Sequence, residues 1–101
     1  MAMFGSQARN GGEGVNTLAD GSELRLALYK SDGCPYCQRV FASIDRLNVA
    51  IEYRDVNQGG HRADHVKRTG RQTVPCLYVN DEPMFESGDI IAWLNDRFSA
   101  R

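Results

Sequence analysis

Apolar residues change their spacing several times along the chain, and each spacing predicts an element. Leu24, Leu26 and Leu28 alternate with other residues in Leu24-Arg25-Leu26-Ala27-Leu28-Tyr29. Successive strand side chains point to opposite faces, so this run predicts a strand. A polar, Gly-containing turn follows, and from Pro35 onward Cys37, Val40, Phe41, Ile44 and Leu47 recur at intervals of three and four. That is one face of a helix from Pro35 to about Leu47, with Asn48 as its stop. Ile51 to Val56 is rich in β-branched and aromatic residues and predicts a second strand, broken by Asn57-Gln58-Gly59-Gly60. His61 to Thr69 predicts a polar helix closed by Gly70. Cys76-Leu77-Tyr78-Val79 predicts a strand, Asn80-Asp81-Glu82 a turn, and Pro83 to Phe85 its short partner at a sheet edge, where proline is tolerated. Ser87 opens a last helix with Ile90, Ile91, Leu94 and Phe98 on one side.

The order β-α-β-α-β-β-α has a physical consequence. A strand, helix, strand unit is parallel and right-handed, whereas the closing hairpin is antiparallel. The expected architecture is therefore α/β, a four-stranded mixed sheet flanked by helices. Residues 1–22 hold Gly5, Gly11, Gly12, Gly14 and Gly21 among Ser, Asn and Gln without apolar periodicity, which predicts a flexible tail ahead of one domain at 23–101.

Composition narrows the function classes. Twelve basic against thirteen acidic residues leave a formal net charge of −1, so no whole-molecule field draws the chain to nucleic acid. The longest apolar run, Ile90 to Leu94, is far short of the roughly 20 residues of a membrane span. Met1 to Gly14 lacks the cationic and apolar blocks of a secretory signal, so a reducing, cytoplasmic setting is expected. Three cysteines are an odd number. A Cys-X-X-Cys pair in such a chain points to redox or metal chemistry rather than a disulfide framework.

Cys34-Pro35-Tyr36-Cys37 lies where the first strand hands over to the first helix. Proline is favoured at the first helical position, which makes Cys34 the N-cap. Its sulfur then faces the free N–H groups of Tyr36 and Cys37 at the positive end of the helix dipole, where a thiolate is favoured. The thiolate is the nucleophile, so Cys34 is expected to attack and Cys37, one turn on, to resolve. Lys30 would favour the anion and Asp32 oppose it. The competing reading is a zinc set completed by His61, His65 and Cys76. Proline between the cysteines, on a strand-to-helix turn, argues against it, and no metal is expected.

From Leu24 to Phe98 the chain resembles the glutaredoxins, which have a thioredoxin-like fold. Cys34-Pro35-Tyr36-Cys37, Thr73-Val74-Pro75 and the Ser-Gly-Asp opening of the last helix carry the likeness. The resemblance implies a cis Pro75 beside the active site. It also implies backbone pairing of Val74 with the cysteinyl part of glutathione, and γ-glutamyl binding by Ser87, Gly88 and Asp89 at a helix start. Tyr36 and Thr73 would line the groove, and Lys30 would hold the glycine carboxylate, with Arg68 or Arg71 as alternatives. In this chain Lys30 precedes Cys34 by four positions rather than the usual three, and Glu86-Ser87 replaces a common Gly-Gly pair. A Glu-Ser pair is more similar to the N-terminal domain of glutathione transferases, which bind the same tripeptide.

The implied activity is glutathione-dependent thiol–disulfide exchange on disulfide-containing or glutathionylated proteins, by a monomer with glutathione as co-substrate. Two other readings stand beside it, a glutathione-ligated iron–sulfur carrier and a transferase-like binding domain without its helical partner. Cys76 reads as a buried, inert thiol. His61 and His65 read as a solvated helix face without a role, and Trp93 and Phe98 as packing.

Overall fold

The computed structural model describes residues 14–18 and 20–99. It holds β1 (Val15–Thr17), β2 (Glu23–Lys30), α1 (Pro35–Leu47), β3 (Glu52–Asp55), α2 (His61–Thr69), β4 (Cys76–Val79), β5 (Glu82–Phe85) and α3 (Ser87–Phe98). β2 is the organising strand, parallel to β3 along Ala27–Lys30 and antiparallel to β4 along Leu26–Tyr29. β4 and β5 form the expected antiparallel hairpin. Asn80 and Asp81 at its turn have φ of 48° and 75°, the positive values that two-residue hairpin turns favour.

Helix limits follow local chemistry. Pro35 opens α1, and Asn48 ends it in a left-handed conformation with φ 61°. Gly70 does the same for α2 at φ 74°, its N–H bonded to the Val66 carbonyl.

The thioredoxin-like architecture stands, but its sheet has five strands rather than four. The extra strand, β1, pairs antiparallel with the first residues of β2. Order therefore begins before residue 23, which corrects the tail boundary at 22; residues 1–13 of that tail lie outside the described residues. What holds β1 is tertiary. The Asn16 side chain donates to the Ala50 carbonyl at 2.9 Å and accepts from the Ala50 N–H at 2.8 Å. Gly14, at φ 68°, passes so close to the sheet that an added Cβ would lie 2.1 Å from the Leu26 carbonyl oxygen. Only glycine fits there.

β2 is buried on both faces. Leu24, Leu26 and Leu28 meet Val40 and Ile44 of α1 and Ile90, Leu94 and Phe98 of α3, with Val49, Ile51 and Leu77 filling between. On the other face Ala27 and Tyr29 pack with Val56, Cys76 and Tyr78 under α2. This two-sided packing fixes the end of β2, and hence the turn carrying the cysteines. Among the described residues no helix is long and apolar enough to cross a membrane.

Candidate active site

Cys34 is the N-cap of α1, in extended conformation at φ −87° and ψ 120°. Its carbonyl accepts the Gln38 N–H at 3.0 Å and its own N–H donates to the Ser31 carbonyl at 3.1 Å. The sulfur does not make the expected bond to the helix N–H groups. It points across the turn instead, with Sγ 4.0 Å from the carbonyl oxygen of Val74.

Cys37 is fully buried, as the inward face of α1 requires. Burial pushes its thiol up to about 11. A backbone hydrogen bond from Ser31 opposes the rise, contact with the Cys34 sulfur adds to it, and the charge of Lys30 opposes it last. Of the two thiols, Cys34 is partly open and Cys37 closed off.

Tyr36, Thr73, Val74, Pro75, Glu86 and Ser87 line one groove of about 320 Å³. The Val74–Pro75 bond is cis, as the resemblance implied. Tyr36 is 59% exposed at the rim, the one large apolar side chain so exposed among the described residues. Glu86, at φ 75°, turns the chain into α3, and Ser87, Gly88 and Asp89 form its first turn. Gly88 and Asp89 are exposed beside the groove without lining it.

Lys30 is not brought to this groove. Its Nζ lies 2.6 Å from Asp32 and 3.4 Å from Asp55, in a separate hollow with Phe41, Asp45 and Tyr53. Arg68 pairs with Asp64 at 3.1 Å, and the Arg71 guanidinium lies 4.0 Å from the centre of the Phe85 ring. A wider hollow of about 780 Å³ is lined by Arg62, Lys67 and Gln72 among others, and Gln72 precedes Thr73 of the groove in the chain. Arg62 donates to Asn57 Oδ1 at 2.9 Å and to Gln72 Oε1 at 3.3 Å, both neutral acceptors. The sequence did not single out Arg62, because its position depends on how α2 lies against the 57–60 turn.

The two histidines part company. His61 is half-buried, whereas His65 is fully buried, stacked at 4.7 Å on Tyr29 and bonded through Nε2 to the Thr73 carbonyl at 2.8 Å. The solvated-face reading is therefore corrected for His65: α2 covers the second face of β2 with this edge. Cys76 is buried as expected, and burial pushes its thiol up to about 11. Among the described residues no three of His, Cys, Asp and Glu come together as a metal site would require.

A profile described as glutathione S-transferase, N-terminal domain, matches residues 28–101. Glutaredoxin 3 of Escherichia coli K12 is 27% identical over 68 residues, spanning 66% of this chain and 82% of the relative. A probable glutaredoxin of Synechocystis sp. is 33% identical over 66 residues, 63% of this chain and 61% of that one. An epsilon-class glutathione S-transferase from the housefly, Musca domestica, matches the fold with a TM-score of 0.64 at 24% identity, over 75% of this chain. The present chain spans only 36% of that transferase. With the match running from the middle of β2 through α3, the chain belongs to the family of glutathione S-transferase N-terminal domains, in the thioredoxin-like group that also holds the glutaredoxins.

Proposed function

We propose that the chain is a glutathione-dependent thiol–disulfide oxidoreductase of the glutaredoxin type, working in a reducing compartment. The observation that carries the reading is the Cys34 sulfur at the start of α1, 4.0 Å from the carbonyl of Val74, which lines a groove with Tyr36, Thr73, Pro75, Glu86 and Ser87. In this reading glutathione lies extended along Val74, pairing backbone to backbone as an added strand does. Its γ-glutamyl end points to the N–H groups opening α3 at Ser87, Gly88 and Asp89. Its glycine carboxylate points past Thr73 toward Arg62 and Lys67, which suit an anion better than Lys30 does between two carboxylates.

The chemistry is two exchanges. The Cys34 thiolate attacks the glutathionyl sulfur of R–S–S–G, the S–S bond breaks, and R–S⁻ leaves and takes a proton, giving Cys34–S–S–G. A glutathione thiolate then attacks that sulfur, giving oxidised glutathione and the Cys34 thiolate again. Alternatively Cys37 attacks Cys34, releasing glutathione and leaving an intramolecular disulfide, which two glutathione molecules reduce.

The test is turnover of the glutathione–mercaptoethanol mixed disulfide with glutathione, glutathione reductase and NADPH. Wild-type protein is expected to consume NADPH, and Cys34→Ser to lose that activity to background. Activity retained in Cys34→Ser would overturn the mechanism. The family match also favours a second reading, the glutathione-holding part of a transferase. Conjugation of glutathione to an electrophile without mixed-disulfide turnover would select it.

A further inference from the structure

We propose that His65 is a positioning residue for the glutathione groove: it holds the Thr73 carbonyl from behind, and so sets the Val74 edge on which the tripeptide pairs. The inference rests on the glutathione reading above and extends it to a residue outside the groove.

His65 is 0% exposed on the face of α2 that covers β2, against the rings of Tyr29 and Phe85, where an aliphatic side chain would suffice for packing. A buried polar ring is costly unless its hydrogen bonds are made. Here one is made and one is not. Nε2 lies 2.8 Å from the Thr73 carbonyl oxygen, which can only accept, so Nε2 carries the proton. Nδ1 then has no partner among the described residues. The ring is therefore kept for its single bond to Thr73.

Thr73 is where that bond matters. Thr73, Val74 and Pro75 form one wall of the groove, and the Val74 carbonyl faces the Cys34 sulfur. Within Gln72–Val74 no backbone group pairs with another strand, since β4 begins only at Cys76. The wall is thus a loop ahead of a strand, fixed from one side by the imidazole. The ring itself is braced by Tyr29, whose face stacks at 4.7 Å and 17° while its hydroxyl is tied to Asp64 and to Arg54. The His65 bond thus ties α2 directly to the Thr73 backbone of the groove wall, beside the longer Arg62 contact to the Gln72 side chain.

Loss of that bond should act on substrates that use the Val74 edge and spare those that meet only the sulfur. Glutamine carries an N–H donor near the place of Nε2, whereas leucine fills the space without one. His65→Leu is expected to raise KM for the glutathione–mercaptoethanol mixed disulfide about five- to tenfold, the effect of one hydrogen bond, with kcat within about twofold. His65→Gln should return KM to within about twofold of wild type. Reduction of bis(hydroxyethyl) disulfide driven by dithiothreitol needs no peptide edge and should be equal in all three proteins.

An unchanged KM in folded His65→Leu, no rescue by glutamine, or an equal fall on both substrates would each overturn the proposal. In wild-type protein the His65 Nε2–H resonance should move when glutathione is titrated in, while that of His61 should not; a stationary His65 signal would also overturn it. If wild type binds glutathione but turns nothing over, the oxidoreductase reading fails alone, and the order of glutathione affinities among the variants still decides the role of His65. If glutathione does not bind wild type, both fall.

Discussion

Cys37 allows the most quantitative prediction, since its burial decides how a mixed disulfide on Cys34 is resolved. With the thiol pushed up to about 11, roughly 1 in 3,000 molecules carries the Cys37 thiolate at about pH 7.5. An exposed thiol of ordinary pKa, about 8.5, is then close to a tenth ionised, roughly 300-fold more. The more basic thiolate is intrinsically the better nucleophile. A Brønsted slope of about 0.4–0.5 over about 2.5 units returns a factor of roughly ten to eighteen. Cys37 therefore starts about twentyfold behind an equally placed ordinary thiol. Once Cys34 is in a mixed disulfide its charge is gone and that part of the rise disappears, but burial, the largest cause, remains.

The assay is single-turnover release of glutathione from protein carrying a preformed Cys34 mixed disulfide, between about pH 7 and pH 10. A raised thiol gains anion as pH rises, so the release rate should climb nearly tenfold per unit without levelling below about pH 9.5. At neutral pH free glutathione should carry most of the resolution, and Cys37→Ser should keep turnover within about threefold of wild type. A plateau centred at or below about pH 8.5 would refute the reasoning, because it would mean that Cys37 titrates as an open thiol.

Two further outcomes follow from packing and from titration. Asn16→Ala removes both bonds to Ala50 and leaves its backbone groups without those partners, so unfolding free energy should drop by about 2 kcal/mol in a urea titration at constant m value. A drop below about 0.5 kcal/mol would mean that β1 adds nothing to the domain. Burial raises Cys37 and Cys76 to about 11 and Tyr53 to about 12, so each favours the folded state while protonated. That contribution is complete below about pH 8.5, where the unfolded thiols begin to ionise, and is lost as pH rises toward 11. Urea midpoints should therefore fall between about pH 8 and pH 10.5, and fall less in Cys76→Ala; a level profile would contradict the burial of these thiols.

What the sequence made legible was whatever rests on local rules. Pro35, Asn48 and Gly70 bound their helices by backbone geometry, so these limits could be read residue by residue, while the hairpin turn is one residue shorter than expected, with Glu82 already in β5. The Cys34 turn and the Thr73-Val74-Pro75 wall were legible as motifs, and the structure brings them together across the sheet. β1 was not legible, since Val15-Asn16-Thr17 is too short for a period and is held by Asn16 and Gly14 against distant backbone. Lys30 looked free for an anion because Asp55 is its neighbour only through the β2–β3 pairing. His65 hid in a polar helix. Ala27 and Tyr29, facing away from the leucines on β2, were the signal that α2 had to cover something, and His61, His65 and Thr69 share its inward edge.

The central claim is that Cys34 takes up glutathione in the groove beside Val74. Its most direct test is to expose Cys37→Ser to oxidised glutathione, map the adduct by peptide mass spectrometry, and record amide spectra before and after. One glutathione on Cys34, with shifted resonances at Val74, Ser87 and Gly88, is the predicted result. An unmodified Cys34, or an adduct that leaves the Val74 and Ser87 amides where they were, would contradict it.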